Sequence, residues 1–376
     1  MGDYAQVHDV AVANIAQIND VPYANCGQLN DCTKAASGAT RWVALAEDGF
    51  VGYCSNSDRT SWTGYDNDSG TSDAVDIAFG KDNSGNGIYC GTRASGSREI
   101  VVSGTDVTSV GNWTEVDLPG GTIKQMCINW GARSNGAAAG TWMSAGMQGQ
   151  EGIYRSIDGA QNWSKIDLSG ITNHASNKFI NGIHSDGSGN WMTLQGESGG
   201  RIYYSNDDGA SFTASSPFTI GRGQAVAYTN NTWIVVYSRQ SAIRIRTCAA
   251  NDITTWSSEV DAKGIPHLSS DGQKISIAAA NGNVCIVGQN DSDVNTFTVN
   301  GTTVSEPQQV SLSMSGDTIQ DICTDGTTWL IGAKDGDVWE STNNGANWSQ
   351  ILDGFQPDGN NEKDLVGICA DVVLPL

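Results

Sequence analysis

The chain has 376 residues with 41 acidic and 20 basic side chains, a net charge of −21, and such a surface repels phosphate backbones. No basic stripe offsets this locally, which excludes nucleic-acid binding. Forty-six Gly, twelve Trp and ten Tyr, with no long Ala/Leu/Glu/Lys-rich segment of helical period, exclude a helical protein and point to half-buried strands. No run approaches the roughly 20 apolar residues of a membrane helix, so no membrane insertion is expected.

The first ten residues, "MGDYAQVHDV", have neither the basic start nor the apolar stretch of a signal peptide. Residues 1–38 then carry a short period of about 11 residues. "HDVAVANIAQI", "NDVPYANCGQL" and "NDCTKAASGAT" follow one another, aligning Asp9 with Asp20 and Asp31, and Ala13 with Ala24 and Ala35. Such a period can be a right-handed coiled coil, but Pro22, Gly27 and the Asn-Asp pairs oppose one, so short strands or an extended arm are expected. Val10, Ile15, Ile18, Val21, Tyr23 and Leu29 are its candidate assembly residues. They are too few to fold alone, so the arm must dock on the rest of the chain, on copies of itself or on another protein.

From residue 39 onward a longer unit repeats. "TIQDICTDGTTWLIGAKDGDVWESTNNGANWSQIL", Thr318 to Leu352, reads as four short strands. The same order recurs from Lys178 and Gly221, more loosely near Asp73, Gly121 and Gly272, and first in "TRWVALAEDGFVGYCSNSDRTSWTGY". Seven copies of about 40 to 48 residues imply an all-β, seven-bladed β-propeller of four-stranded antiparallel blades. Six or eight blades stay open, because the copies at Asp73 and Gly272 are degenerate. "DLVGICADVVLPL", residues 364–376, resembles a lone inner strand and is expected to complete the first blade, with "GQLNDCT" (Gly27–Thr33) as the rival donor. The expected organisation is an arm at 1–38 and a propeller at 39–376.

The nine Cys form no CxxC, and the four His stand near no Cys cluster, so neither a metal nor any other cofactor is signalled. Cys in "IKQMCI", "IQDICT" and "LVGICA" read as small buried hydrophobes, which suits folding in a reducing cytoplasm.

One turn recurs in recognisable form. Ser205, Asp207, Gly209, Ser211 and Phe212 carry it in full. Ser341, Gly345 and Trp348 carry it with Asn343 in place of Asp, and Ser156, Asp158 and Trp163 keep the spacing with Ala160 where Gly is expected. The pattern resembles the Asp-box, or BNR repeat, of sialidases and sortilin-like receptors. That resemblance implies a turn closing the hairpin between third and fourth strands, structural rather than catalytic, on the face opposite the usual active site. Sialidases also need converging arginines and a Tyr–Glu pair. Arg93, Arg98, Arg201, Arg222 and Arg239 are candidates for the loops concerned, but the family's Arg-Ile-Pro opening is missing and no Tyr–Glu pair stands out. No G-x-S-x-G elbow or phosphate-binding loop occurs either. No catalytic residue is nominated.

The arm's "V-A-x-A-N-I-A-x-I-N-D-V" pattern resembles the segment that precedes propeller or fibre domains in virion proteins of tailed bacteriophages. The resemblance covers about 25 residues. It implies a non-enzymatic tail or capsid appendage, a virion protein made in the host cytoplasm. The arm would dock on other virion proteins, as a homo-oligomer in the particle, and the propeller would face outward for adhesion or decoration, with a host-surface glycan as ligand. The alternative is a bacterial sialidase-like propeller that binds or cleaves glycans.

Overall fold

The computed structural model describes residues 17–18, 21–22, 39–67, 74–93, 99–120, 124–147, 152–169, 171, 180–196, 199–214, 220–265, 275–288, 291–314, 318–357, 359 and 361–374. The chain divides into two compact units, Met1–Ser37 and Gly38–Leu376. In the first, Gln17–Ile18 pairs antiparallel with Val21–Pro22, so Ile18 and Val21 are cross-strand partners. Of the other arm candidates, Val10, Ile15, Tyr23 and Leu29 lie outside the described residues.

The second unit is a seven-bladed β-propeller. Each blade is an antiparallel sheet in which inner, second, third and outer strands follow in order. The inner strands of blades 2 to 7 are Ala74–Lys81, Lys124–Gly131, Ile180–Ser185, Arg222–Thr229, Ile275–Ala280 and Ile319–Thr324. The inner strand of blade 1 is Leu365–Ala370, which pairs with Arg41–Ala46 from the other end of the unit. In blades 5 and 6 the outer strand is split into two pieces that both pair with the third strand.

Successive side chains of a strand point to opposite faces of its sheet, and here each face meets a different blade. In Arg41–Ala46, Trp42, Ala44 and Ala46 pack toward blade 7, while Val43 and Leu45 pack toward blade 2. The seven hydrophobic clusters of the propeller map one to one onto its seven blade interfaces. The largest fully buried side chains, Trp42, Trp142, Trp191, Trp233 and Trp329, all stand in second strands and fill the interface with the preceding blade. A blade is therefore stable only between neighbours, which is why the unit repeats until the ring closes.

Six of the seven inner strands are bulged near their first residues. A bulge bends a strand and raises its twist. Just past it stand Gly367, Asp76, Cys127, Gly182, Ala225 and Asp321. A Cβ on Gly182 would sit 3.0 Å from the Cα of Ala225, and one on Gly367 would sit 3.2 Å from that of Asp76. Glycine at these two points lets neighbouring inner strands converge on the axis.

Antiparallel strands give the ring two unlike faces. Inner-to-second and third-to-outer turns share one, the turn face. Second-to-third connections and the crossings between blades share the other, the loop face.

Candidate functional site: turn face, blade edges and channel

The recurring turns sit between third and outer strands of blades 3, 4 and 7, each in its own blade and not brought together. Their chemistry is nearly identical. In blade 4, Ser205 Oγ donates to Asp207 Oδ1 at 2.7 Å, Gly209 N–H donates to Ser205 Oγ at 3.0 Å, and Ser211 N–H donates to Asp207 Oδ1 at 3.0 Å. Blade 7 repeats this with the Asn343 amide oxygen, which accepts from Ser341 Oγ at 2.9 Å and Asn347 N–H at 2.9 Å. In blade 3 Asp158 accepts from Ser156 Oγ at 2.7 Å and Asn162 N–H at 2.9 Å.

Two successive residues of each turn take positive φ: Asp208 and Gly209, Asn344 and Gly345, Gly159 and Ala160. The glycine in blade 3 is thus at the first of the two positions, leaving Ala160 in the left-handed region at φ 64°. The aromatic packs beneath, and the indoles of Trp163 and Trp348 donate to the carbonyls of Ala160 and Gly345, at 3.0 and 2.9 Å. Phe212 in blade 4 is buried without such a bond to make.

In blades 4 and 7 the turn also fastens its blade to the one before. Asp208 accepts from Ser134 N–H at 2.7 Å and Ser134 Oγ at 2.9 Å, both in blade 3, and its carbonyl accepts from Arg155 Nε at 2.8 Å. The Asn344 carbonyl accepts from Thr296 Oγ1 of blade 6 at 3.1 Å. Burial pushes the Asp207 carboxyl up, but bonds from Ser211 and Ser205 outweigh it and hold the pKa below the usual range. These polar groups are engaged within the turns themselves or, at Asp208 and the Asn344 carbonyl, across a blade interface.

A second cluster lies on blade 5. Tyr237 donates to Glu259 Oε1 at 2.7 Å, Arg239 bonds the same oxygen at 2.8 Å, and Arg246 Nε donates to the Tyr237 hydroxyl at 3.0 Å. The sequence reading missed this Tyr–Glu pair because 22 residues separate its members. Strand pairing alone joins them, as Glu259 precedes the Val260–Ala262 strand laid against Ala242–Ala249. Tyr237 is fully buried in the core between blades 4 and 5, and burial raises its pKa, so the phenol stays protonated. Glu259, raised by burial but lowered more by its bonds to Tyr237 and Arg239, is held below the usual range as their shared acceptor. A phenol locked in this way is a structural hydrogen bond, not an exposed nucleophile. Of the other loop arginines, Arg222 begins the inner strand of blade 5 and Arg201 stands beside the third strand of blade 4, while the side chains of Arg93 and Arg98 lie outside the described residues.

The third feature is the axial channel, about 240 Å³ in volume and lined by all seven inner strands. Cys127, Cys323 and Cys369 are among its lining residues. Burial pushes Cys323 up to about 12 and Cys369 well above the ordinary thiol range, so neither is a thiolate near neutrality. Among the described residues every Cys is free, and no group of three or more His, Cys, Asp or Glu is placed to hold a metal ion.

With this geometry fixed, the chain can be set beside known proteins. No family model matches it, and no curated protein sequence does. Solved structures do match, at the level of fold. The Dos1 propeller superposes with a TM-score of 0.54 at 9% identity, covering 84% of this chain and 76% of the other. The Cps50 (Swd1) β-propeller domain of Myceliophteria thermophila gives 0.52 at 8%, covering 80% and 93%. YCF48 from Cyanidioschyzon merolae is 16% identical over 74% and 84% of the two chains, with a TM-score of 0.47. At these identities the likeness is one of architecture.

Proposed function

We propose that the protein is a non-enzymatic appendage of a tailed-bacteriophage virion, anchored by its amino-terminal arm and displaying the propeller for adhesion or decoration. The observation that carries this reading is where the chain joins the ring. Asp371, just past the last inner strand, takes the Thr40 and Arg41 N–H groups on Oδ1 at 2.6 and 2.9 Å, and the Thr40 hydroxyl on Oδ2. The Arg41 carbonyl accepts from the Asp371 N–H at 3.0 Å. The chain therefore enters and leaves the propeller at one point of the turn face. On this reading a partner holds residues 1–38 and the propeller takes a host-surface glycan.

The recurring turn belongs, on this reading, to the Asp-box class, and its role in holding blades together supports that assignment. Other virion proteins are the arm's partners, and the arm brings copies of the chain together. Light scattering on the full chain and on residues 39–376 tests the proposal. The full chain is expected to form a defined oligomer, and the shorter one a folded monomer. Monomers in both cases would refute the arm as an assembly element.

A further inference from the structure

Blade 1 lacks a side chain that its counterparts have. In blades 3, 4 and 7 the second-strand tryptophans Trp142, Trp191 and Trp329 lie across from Ser156, Ser205 and Ser341 of the third strand. Two residues before each serine stands a large aromatic, Tyr154, Tyr203 or Trp339, buried in the interface with the preceding blade. In blade 1 Trp42 lies across from Cys54, and the residue two places earlier is Gly52. Its cross-strand neighbour on the outer strand is glycine as well, Gly64. Two facing glycines leave a slot where another part of the chain can approach the sheet closely.

A ring from outside the blade fills that slot. Phe355 belongs to residues 353–364, the strap that runs from the outer strand of blade 7 to the closing strand Leu365–Ala370. A Cβ on Gly52 would lie 2.8 Å from Phe355 Cζ, and one on Gly64 would collide with the same ring and with Pro357. Gly336, at φ 83° in the second-to-third connection of blade 7, passes so close to the Phe355 backbone that a side chain would collide there too. Phe355 is 3% exposed, in the core between blades 7 and 1. The seam between the last and first blades thus takes its aromatic anchor from the strap.

Polar bonds seat the strap on both blades. Lys363 N–H donates to the Phe355 carbonyl at 2.9 Å and closes the strap on itself. Gly354 N–H donates to Asp337 Oδ1 at 3.1 Å, and Asp364 Oδ1 accepts from Asp335 N–H at 3.0 Å, both in blade 7. The Asp364 carbonyl accepts from Glu47 N–H of blade 1 at 3.0 Å.

Six inner strands continue through a turn into their own second strand. Leu365–Ala370 does not, and is held to Arg41–Ala46 by pairing across a gap in the chain. It can leave the ring without any other blade being unthreaded, so its opening is a local equilibrium. A buried phenyl ring is among the largest apolar contributions one side chain makes, and this one weighs directly on that equilibrium.

We propose that the strap is a releasable latch. With Phe355 in the glycine slot the ring is shut; with it withdrawn, the closing strand leaves and bares the sheet edge of Arg41–Ala46. Anchoring through the arm does not require the latch, so the two proposals stand or fall separately.

Native-state hydrogen exchange of the full chain tests it, with the ladder between Arg222–Thr229 and Thr232–Arg239 as internal reference. Amides of the ladder between Arg41–Ala46 and Leu365–Ala370 are expected to open first as urea is raised, below global unfolding. Phe355→Ala is expected to speed their exchange about tenfold or more, while the reference ladder changes by less than about twofold. Saturating benzene, the fragment removed, fills the apolar slot and restores the parent rate. The proposal is overturned if Phe355→Ala speeds both ladders equally, as a purely structural side chain would, or leaves both unchanged. It is equally overturned if benzene leaves the seam rate of the variant as it is. Should the variant not fold, the parent decides: two ladders opening together at every urea concentration would refute the latch.

Discussion

Blades 4 and 5 are neighbours that close the same kind of sheet by different means. Blade 4 has short strands, with an outer strand of just Thr213–Ala214, and depends on the Ser205–Asp207 turn to hold its corner. Blade 5 has three strands of eight residues, Arg222–Thr229, Thr232–Arg239 and Ala242–Ala249. They are joined by the pairs Asn230–Asn231 and Gln240–Ser241, in which every residue has positive φ. That is the hairpin geometry whose twist matches that of the flanking strands. Its outer corner keeps only a remnant of the recurring turn, with Asp252 capping Thr254 N–H at 3.0 Å and the Trp256 indole on the Ile253 carbonyl at 2.9 Å. A long, continuous ladder makes the elaborate turn dispensable, so the motif decays where the strands are longest.

The sharpest way to break this contrast is through what both blades need. Trp191 and Trp233 each fill the interface behind their own second strand. Trp191→Ala and Trp233→Ala are each expected to cost about 3–5 kcal/mol in urea unfolding. If only the blade 4 substitution were costly, the long ladder would be carrying blade 5 without its core.

Acid separates the corners at a smaller scale. Folding holds the Asp207 pKa below its unfolded value, so its contribution is present above about pH 4 and lost as pH falls through the lowered pKa. Asn343 does the same work in blade 7 without a titrating group. Exchange of the Ser211 amide is therefore expected to accelerate between about pH 4 and pH 2, relative to intrinsic rates, more than that of Asn347. Equal acceleration would mean that the carboxylate is not what holds the corner.

The smallest effect is a gain. Ser241 is exposed at φ 60°, a region that costs a non-glycine residue roughly 1 kcal/mol, so Ser241→Gly is expected to raise stability by up to about that amount. An unchanged unfolding midpoint would show that the Gln240–Ser241 hairpin stores no strain.

The four-stranded unit and its recurring corner were legible in the sequence because both are local. Ser, Asp and Gly at fixed spacing determine a turn within eight residues of chain. The second-strand tryptophans were visible too, as in "TWLIGA", but their common role emerges only when each is seen to face the preceding blade. What stayed hidden depends on closure. Asp321 reads as one of many carboxylates until the bulge and the closing strand bring it to Ile368. Asp208 reads as turn filler until Ser134 of another blade meets it. Tyr237 and Glu259 become a pair only through strand register.

Asp371 has a further consequence, for the order in which the molecule is made. Asp82, Asp186 and Asp325 follow their inner strands and cap the turns into the second strands, and Asp371 does the same for Thr40 and Arg41 across a gap in the chain. The first blade to leave the ribosome thus lacks its innermost strand and half of its turn until synthesis has passed residue 371. Through all that time Arg41–Ala46 is an open sheet edge, ready to pair with any other strand. The blade made first is the blade finished last.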